Sequence, residues 1–280
     1  MIPAAFEYIR PSTMDEAIGA LSTEDAKVIA GGQSLIPLLR LRLAAPTVLV
    51  DLGGLGDLRG VREDGDAIVI GAMTTHAAVL ADPLVARYAP LIAQATATVG
   101  DRQVRHLGTF GGSLAHADPA GDLPAVSLAV DAVFSITGAG GTRQVPASEF
   151  FADYLTTAIG PDEILTSVRV PKREGWASHY EKFQRVAQGW AMVGVAALVR
   201  RSNGGIAEAR VALTNMGATP LRATAVEEAL TGGADVATAA SHAAEGTSPT
   251  DDLSASAEYR GHLAAVLTER AVLAALGGTA

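Results

Sequence analysis

Two Gly-Gly pairs, each followed by the start of a helix, constrain this chain more than any other feature. The first lies in residues 30–35, Ala-Gly-Gly-Gln-Ser-Leu, directly after a β-rich run, and the second in residues 109–114, Thr-Phe-Gly-Gly-Ser-Leu. With 30 glycines in 280 residues, chance alone predicts about three such pairs, so one pair by itself says little. Because these two share their context, they predict units of strand, glycine turn and helix.

Both glycine loops have the chemistry to bind a phosphate. Without side chains, backbone N–H groups can approach an anion closely, and a helix that starts just after the loop adds the positive end of its dipole. Two such loops predict a clamp on both sides of a diphosphate. Neither loop is a Walker A motif or a G-x-G-x-x-G fingerprint.

The second half of the chain has a different pattern. Residues 190–201 and 206–215 are apolar runs rich in β-branched side chains, and Ser-Asn-Gly-Gly at 202–205 joins them, as is typical of an antiparallel hairpin. The polar turn at 171–175 marks a domain boundary. In the first half, the apolar stretch at 84–98 predicts a helix. Further helices are predicted at 220–231, 235–244 and 255–276.

Composition and charge exclude several classes of function. With 21 Lys and Arg against 30 Asp and Glu, the formal net charge is −9, so no net positive field is available for nucleic acid. Because cysteine is absent, the chain holds no iron–sulfur cluster, thiolate zinc site or disulfide, and any redox chemistry must come from a bound organic cofactor. The start lacks a signal-peptide pattern, and no apolar run approaches the roughly 20 residues of a membrane span. These features predict a soluble cytoplasmic protein.

Several residues have more than one interpretation on pattern alone. Asp118 and Asp122 could accept hydrogen bonds from ribose hydroxyls. Alternatively, they are a turn aspartate before a proline and the cap of a helix. Lys182 and Trp190 fit either partners of an aromatic cofactor or core and interface residues. The basic cluster at 102–106 fits an anionic cofactor, a partner or a solvated helix end. No compact metal-ligand set or G-x-S-x-G elbow is present, so neither a metal centre nor a serine hydrolase is expected.

Taken with their neighbours, the two loops resemble the FAD signatures of the molybdenum-hydroxylase flavoproteins. The neighbours are Asp-Pro at 118–119 and Asp-Leu-Pro at 122–124. Tyr-x-Lys-Phe at 180–183 and Val-Gly-Val-Ala-Ala at 193–197 resemble the C-terminal domain of the same proteins. The layout is similar to the medium subunits of aerobic carbon monoxide dehydrogenase, and the same module occurs in xanthine, aldehyde and heteroaromatic-ring hydroxylases. The resemblance covers essentially the whole chain.

The resemblance implies an α+β fold in two domains. A two-lobed FAD-binding domain of the PCMH type is expected over residues 1–170, with its lobes split near 55–60. A smaller C-terminal α+β domain is expected over residues 175–280, with an antiparallel sheet packed by helices.

FAD is the cofactor that the resemblance implies for this chain. The two loops hold its diphosphate largely by backbone, Asp122 binds the adenosine end, and Leu165 makes an apolar contact. Lys182 lies on the flavin side and Val99 near the isoalloxazine ring. No catalytic side chain and no metal ligand is implied. The implied cofactor-binding residues are Ala30, Gly31, Gly32, Gln33, Ser34, Leu35, Val99, Thr109, Gly111, Gly112, Ser113, Asp122, Leu165 and Lys182.

The implied function is electron transfer within a larger molybdenum enzyme. The chain is expected to take electrons from [2Fe-2S] clusters on a small partner subunit and pass them to an external acceptor, while a large partner subunit carries the molybdenum cofactor. The expected assembly is a dimer of heterotrimers, cytoplasmic, with peripheral contact at the inner face of the membrane. Carbon monoxide dehydrogenase is the preferred enzyme, and an aldehyde, xanthine or heteroaromatic-ring hydroxylase is the alternative. A non-catalytic nucleotide-binding scaffold is the alternative from a different class.

This chain departs from the family pattern at two positions. Ser113 stands where many relatives carry asparagine, and Gly189 stands where many carry an acidic residue before the aromatic. Serine still supplies a hydrogen bond at the first position. The second departure bears on the redox properties of the flavin and on the identity of its electron acceptor.

Overall fold

The computed structural model describes residues 2–202 and 204–277. Met1, Asn203 of the predicted hairpin turn and residues 278–280 of the predicted C-terminal domain lie outside the described residues. The described strands are β1 (Glu7–Ile9), β2 (Ala26–Ile29), β3 (Val48–Asp51), β4 (Val61–Asp64), β5 (Ala67–Gly71), β6 (Val133–Gly138), β7 (Gly141–Pro146), β8 (Phe151–Asp153), β9 (Thr156–Thr157), β10 (Ile164–Pro171), β11 (Ala177–Phe183), β12 (Val193–Ser202), β13 (Gly205–Thr214) and β14 (Leu221–Arg222).

Among the residues described, six helices run consecutively between β5 and β6, and three helices follow the strands of the second half. Over the described ranges, none of them is both long and apolar enough to span a membrane. They are α1 (Met14–Leu21), α2 (Leu35–Leu41), α3 (His76–Ala81), α4 (Pro83–Tyr88), α5 (Pro90–Ala97), α6 (Arg102–Leu107), α7 (Phe110–His116), α8 (Asp122–Ala129), α9 (Ala147–Phe150), α10 (Thr224–Thr231), α11 (Val236–Ala240) and α12 (Ala257–Ala275).

The first lobe is built on a small parallel sheet with the strand order β1, β3, β2. Helix α1 buries Ala17, Ile18 and Leu21 in a core that it shares with β3, because this spacing places the three side chains on one face of the helix. A short 3-10 turn at Gly56–Leu58 ends the lobe before β4 begins. The predicted split near residues 55–60 therefore falls between the first sheet and the second.

The second lobe has an antiparallel sheet with the strand order β4, β5, β10, β6, β7, which shares one large core with helices α3, α4, α5, α7 and α8. The apolar stretch at 84–98 forms two helices, so the prediction of one helix is wrong. Pro90 has no N–H to donate, and it disfavours helical backbone at Ala89, whose φ and ψ are −138° and 52°. Helix α8 is buried along its whole length, because it lies between the helices of this lobe and the C-terminal sheet.

The C-terminal domain is an antiparallel sheet with the strand order β11, β12, β13, β14, against which α10 to α12 pack. Strand β12 is buried on both faces. Val195 contacts the C-terminal helices, whereas Ala196 and Leu198 join the core of the second lobe. Because side chains alternate along a strand, this one strand connects the two cores. The α+β fold with a helix-packed antiparallel C-terminal sheet is confirmed, while the exact domain limits stay predictions.

Candidate functional site

The first glycine loop leaves a row of backbone donors without acceptors. It connects β2 to α2, and Gly32 has a φ of +72°, a left-handed backbone that glycine adopts without strain. Across residues 2–202 and 204–277, no protein acceptor takes the backbone N–H groups of residues 32–35. The Ser34 side chain makes no capping hydrogen bond either. Successive N–H groups at the start of a helix form a site suited to an anion.

The second glycine loop differs because the fold already uses its backbone donors. The N–H groups of residues 110–113 donate, in order, to the carbonyl oxygens of Thr74 and Ala72, to Thr109 Oγ1 and to the Thr109 carbonyl, at 2.9, 2.9, 3.1 and 3.1 Å. The prediction that this loop holds a diphosphate through backbone N–H groups is therefore revised. The hydroxyl groups of Thr109 and Ser113 are the donors that the loop can still offer.

The two loops lie directly against each other. A Cβ on Gly31 would collide with the Leu107 carbonyl oxygen and would lie 2.7 Å from the Gly108 Cα. A Cβ on Gly112 would lie 3.5 Å from the Cβ of Ala30. The structure thus brings the two loops together as a clamp requires. Position 31 requires glycine because two backbone segments approach each other closely there, and not only because a ligand would approach.

A third segment, residues 97–101, carries Val99 and is held by Arg105 on α6. The Nη1 of Arg105 donates to the carbonyl oxygens of Val99 at 2.8 Å and Ala97 at 3.2 Å. The turn contains Gly100 with a φ of +48°. Because α6 leads directly into the second loop, Arg105 connects the Val99 segment to that loop. Arg105 is partly buried, whereas Arg102 and His106 of the same basic cluster are exposed.

Replacing Arg105 with methionine is expected to lower the free energy of unfolding by about 1 kcal/mol, because a charged donor to carbonyl oxygens is lost. Amide hydrogen exchange at residues 97–101 should become faster, since the segment loses its anchor. Arg102→Met is the matched control, because Arg102 is an exposed residue of the same helix. Equal losses in both variants would show that the carbonyl contacts of Arg105 do not hold the segment.

A buried ion pair joins the two domains beside Val99. Lys182 Nζ on β11 lies 2.8 Å from Oδ2 of Asp122 at the start of α8, and both side chains are 5% exposed. The same Nζ donates to the Thr98 carbonyl at 3.2 Å, and the Tyr180 hydroxyl donates to Asp122 Oδ1 at 2.7 Å. Each charge is therefore paired and hydrogen-bonded, as a buried charge requires.

The surroundings of the ion pair control its protonation. Burial raises the pKa of the Asp122 carboxyl, while the Lys182 ammonium and the Tyr180 hydroxyl oppose that shift by stabilising the carboxylate. Burial, followed by the adjacent Asp122 charge, raises the pKa of Tyr180 well above 10.0. Tyr180 is therefore a neutral donor at physiological pH.

These contacts bear on the roles predicted for Asp122 and Lys182. The sequence places Asp122 at the adenosine end of FAD and Lys182 on the flavin side, and the two side chains are in direct contact. Lys182 also binds the carbonyl of Thr98, the neighbour of Val99. The adenosine role of Asp122 and the flavin-side role of Lys182 both stay predictions.

Leu165 lies apart from that cluster, in the core of the second lobe, and is 5% exposed. The carbonyl of its neighbour Thr166 accepts from the N–H of Ala72 at 2.9 Å, next to the second loop, and its contact with FAD stays a prediction. Sequence reasoning missed Tyr180 as a site residue. The signal was available, because residues two apart on a strand share a face, and Tyr180 precedes Lys182 by two.

The chain was compared with known proteins. Two family models match: "FAD binding domain in molybdopterin dehydrogenase" over residues 4–173 and "CO dehydrogenase flavoprotein C-terminal domain" over residues 178–275. The carbon monoxide dehydrogenase medium chain of Hydrogenophaga pseudoflava is 39% identical, with 98% of each chain covered.

Solved structures agree along the whole chain. Carbon monoxide dehydrogenase from Hydrogenophaga pseudoflava, in a form lacking the Mo-pyranopterin moiety of its molybdenum cofactor, matches with a TM-score of 0.96 at 41% identity, covering 100% of both chains. Quinoline 2-oxidoreductase from Pseudomonas putida 86 matches with a TM-score of 0.94 at 34% identity, again covering 100% of both.

With its paired glycine loops and two matched domains, the chain belongs to the FAD-binding flavoprotein subunits of the molybdenum hydroxylases. Within that family it is similar over its full length to the medium chains of carbon monoxide dehydrogenase. The resemblance identified from the sequence is confirmed, and so is FAD as the cofactor of this chain.

Proposed function

We propose that this chain is the electron-transfer subunit of a carbon monoxide dehydrogenase. It takes electrons from [2Fe-2S] clusters on a small subunit and passes them to an external acceptor, while a large subunit carries the molybdenum cofactor. The similarity to a carbon monoxide dehydrogenase medium chain, 39% identical over 98% of both chains, carries the proposal. The absence of cysteine agrees with it, because the clusters need thiolate ligands from another subunit.

The residues present fit FAD. The unused N–H groups of residues 32–35 are suited to the diphosphate, and the hydroxyl groups of Thr109 and Ser113 are suited to add hydrogen bonds from the facing loop. The Lys182 ammonium offers a positive charge beside Val99. When bound, the isoalloxazine ring of FAD supplies the redox chemistry. The side chains of this chain bind the cofactor, orient it and set the charge around it.

Two exposed apolar side chains are candidates for contact with partner subunits. Val186 and Trp190 both lie in the loop between β11 and β12, and they are 63% and 57% exposed. Trp190 is not a core residue, and its stacking and interface roles stay open to experiment. The dimer of heterotrimers, the cytoplasmic location and the peripheral contact with the membrane belong to the same proposal.

Co-expression with the genes next to this one tests the function. We expect the chain to co-purify with an iron–sulfur subunit and a molybdenum subunit, and to show a flavin absorption spectrum that carbon monoxide bleaches. A preparation that binds no FAD, either alone or in the complex, would leave a non-catalytic scaffold as the function.

A heteroaromatic-ring or aldehyde hydroxylase is the second candidate. The structural match to quinoline 2-oxidoreductase, with a TM-score of 0.94 at 34% identity, favours it over unrelated flavoenzymes. The same complex distinguishes the two functions, because the substrate is oxidised on the large subunit. Bleaching by an aldehyde or an N-heterocycle but not by carbon monoxide would replace the first proposal with the second.

A further inference from the structure

Tyr180 reaches the candidate site from the C-terminal domain and is not needed for electron transfer as described above. Its side chain is buried, and its hydroxyl lies 2.7 Å from Asp122 Oδ1 and 3.5 Å from Thr214 Oγ1. On the neighbouring strand, a Cβ on Gly194 would lie 2.5 Å from that hydroxyl. Glycine at position 194 therefore leaves room for the hydroxyl to reach Asp122.

We propose that Tyr180 is a positioning residue for FAD, which acts through Asp122 on Lys182. This inference rests on the proposed function, because it takes Lys182 as the cationic group on the flavin side. The Tyr180 hydroxyl holds one oxygen of the Asp122 carboxylate, and the Lys182 ammonium is bound to the other. Together the two contacts fix the rotation of the carboxylate.

The ammonium of Lys182 keeps a donor for the cofactor. An ammonium has three N–H donors, and the contacts with Asp122 Oδ2 at 2.8 Å and the Thr98 carbonyl at 3.2 Å use two of them. The direction of the third follows from the other two. If the carboxylate turns, the ammonium turns with it, and the direction of the third N–H is no longer fixed.

Fluorescence titration of the full chain with FAD tests the inference. Tyr180→Phe removes only the hydroxyl, and we expect the dissociation constant of FAD to rise about tenfold, the effect of one hydrogen bond to a charged group. Thr268→Val is the control. It removes a hydroxyl that is buried on helix α12 of the same domain and has no hydrogen-bond partner among the described residues, so FAD affinity should stay within about twofold of the wild-type value.

Gly194→Ala separates positioning from packing. In the wild-type background the added methyl displaces the Tyr180 hydroxyl, so both thermal stability and FAD affinity should fall. Combined with Tyr180→Phe, the methyl occupies the space that the hydroxyl leaves, and only its contact with Thr214, whose Cβ lies 3.0 Å away, remains. We expect the double variant to regain part of the stability lost in Gly194→Ala alone, while FAD stays about tenfold weaker than in the wild type.

Each outcome decides the inference. Recovery of FAD affinity together with stability in the double variant would show that Tyr180 only packs, and wild-type affinity in Tyr180→Phe would overturn the inference directly. If the wild-type chain takes up no FAD, alone or with its partners, the proposed function fails and the inference fails with it. The titration of the wild-type chain thus distinguishes a failure of the proposed function from a failure of the inference about Tyr180.

Discussion

Replacing Lys182 with methionine is expected to lower the free energy of unfolding by about 3 to 5 kcal/mol. The Asp122 carboxylate, 5% exposed, would be left in the protein interior without its counter-charge, and only the Tyr180 hydroxyl would remain bound to it. Urea unfolding at neutral pH measures the loss. Asp122→Asn combined with Lys182→Met is the control, because it removes both charges and should recover much of the stability.

The loss in Lys182→Met should depend on pH. Burial raises the native pKa of the Asp122 carboxyl above its ordinary value of 3.8, and removal of the cation that opposes this shift raises it further. Above the native pKa the deficit is fully present. As the pH falls through the native pKa of the variant the deficit shrinks, and below the native pKa of the wild type it disappears, because the carboxyl is then protonated in the native state of both proteins. A deficit that is constant with pH would instead indicate lost packing.

Gly31→Ala is expected to lower the free energy of unfolding by about 3 kcal/mol, the upper range for overpacking. The added methyl meets the carbonyl of Leu107 and the Cα of Gly108, and backbone cannot rotate away as a side chain does. The two glycine loops would therefore separate, and FAD binding should weaken by more than about tenfold. Thermal unfolding and FAD titration of the same variant measure both effects.

Gly19→Ala is the matched control for Gly31→Ala. It makes the same chemical change in the same lobe, on helix α1, but among the described residues beyond its chain neighbours and the backbone of its own helix no atom lies within 4 Å of the added Cβ. Because alanine favours a helix over glycine, this variant should gain up to about 1 kcal/mol. If Gly31→Ala behaved like Gly19→Ala, the close approach of the two loops would not limit stability.

Local sequence patterns predicted the β12–β13 hairpin, the long C-terminal helix and the glycine loops. These features depend on neighbours in the chain, such as the alternation of apolar residues and the backbone freedom of glycine. The motif residues also identified the family, because they lie close together in the sequence. The helix break at Pro90 also depends only on neighbouring residues, but the prediction of one helix over the long apolar stretch overlooked this proline.

The sequence by itself therefore determined the glycine loops, the β12–β13 hairpin, the cofactor and the family. Only the tertiary structure decided which groups meet and which stay unpaired. It pairs Lys182 with Asp122, which is far away in the chain. It also leaves the N–H groups of residues 32–35 unused beside the second loop, whose N–H groups are all bonded. The physical reason is that a hydrogen bond or ion pair depends on what lies opposite a group after folding. The requirement for glycine at position 31 likewise arises only in the folded protein, because the backbone that packs against it comes from the segment before the second loop.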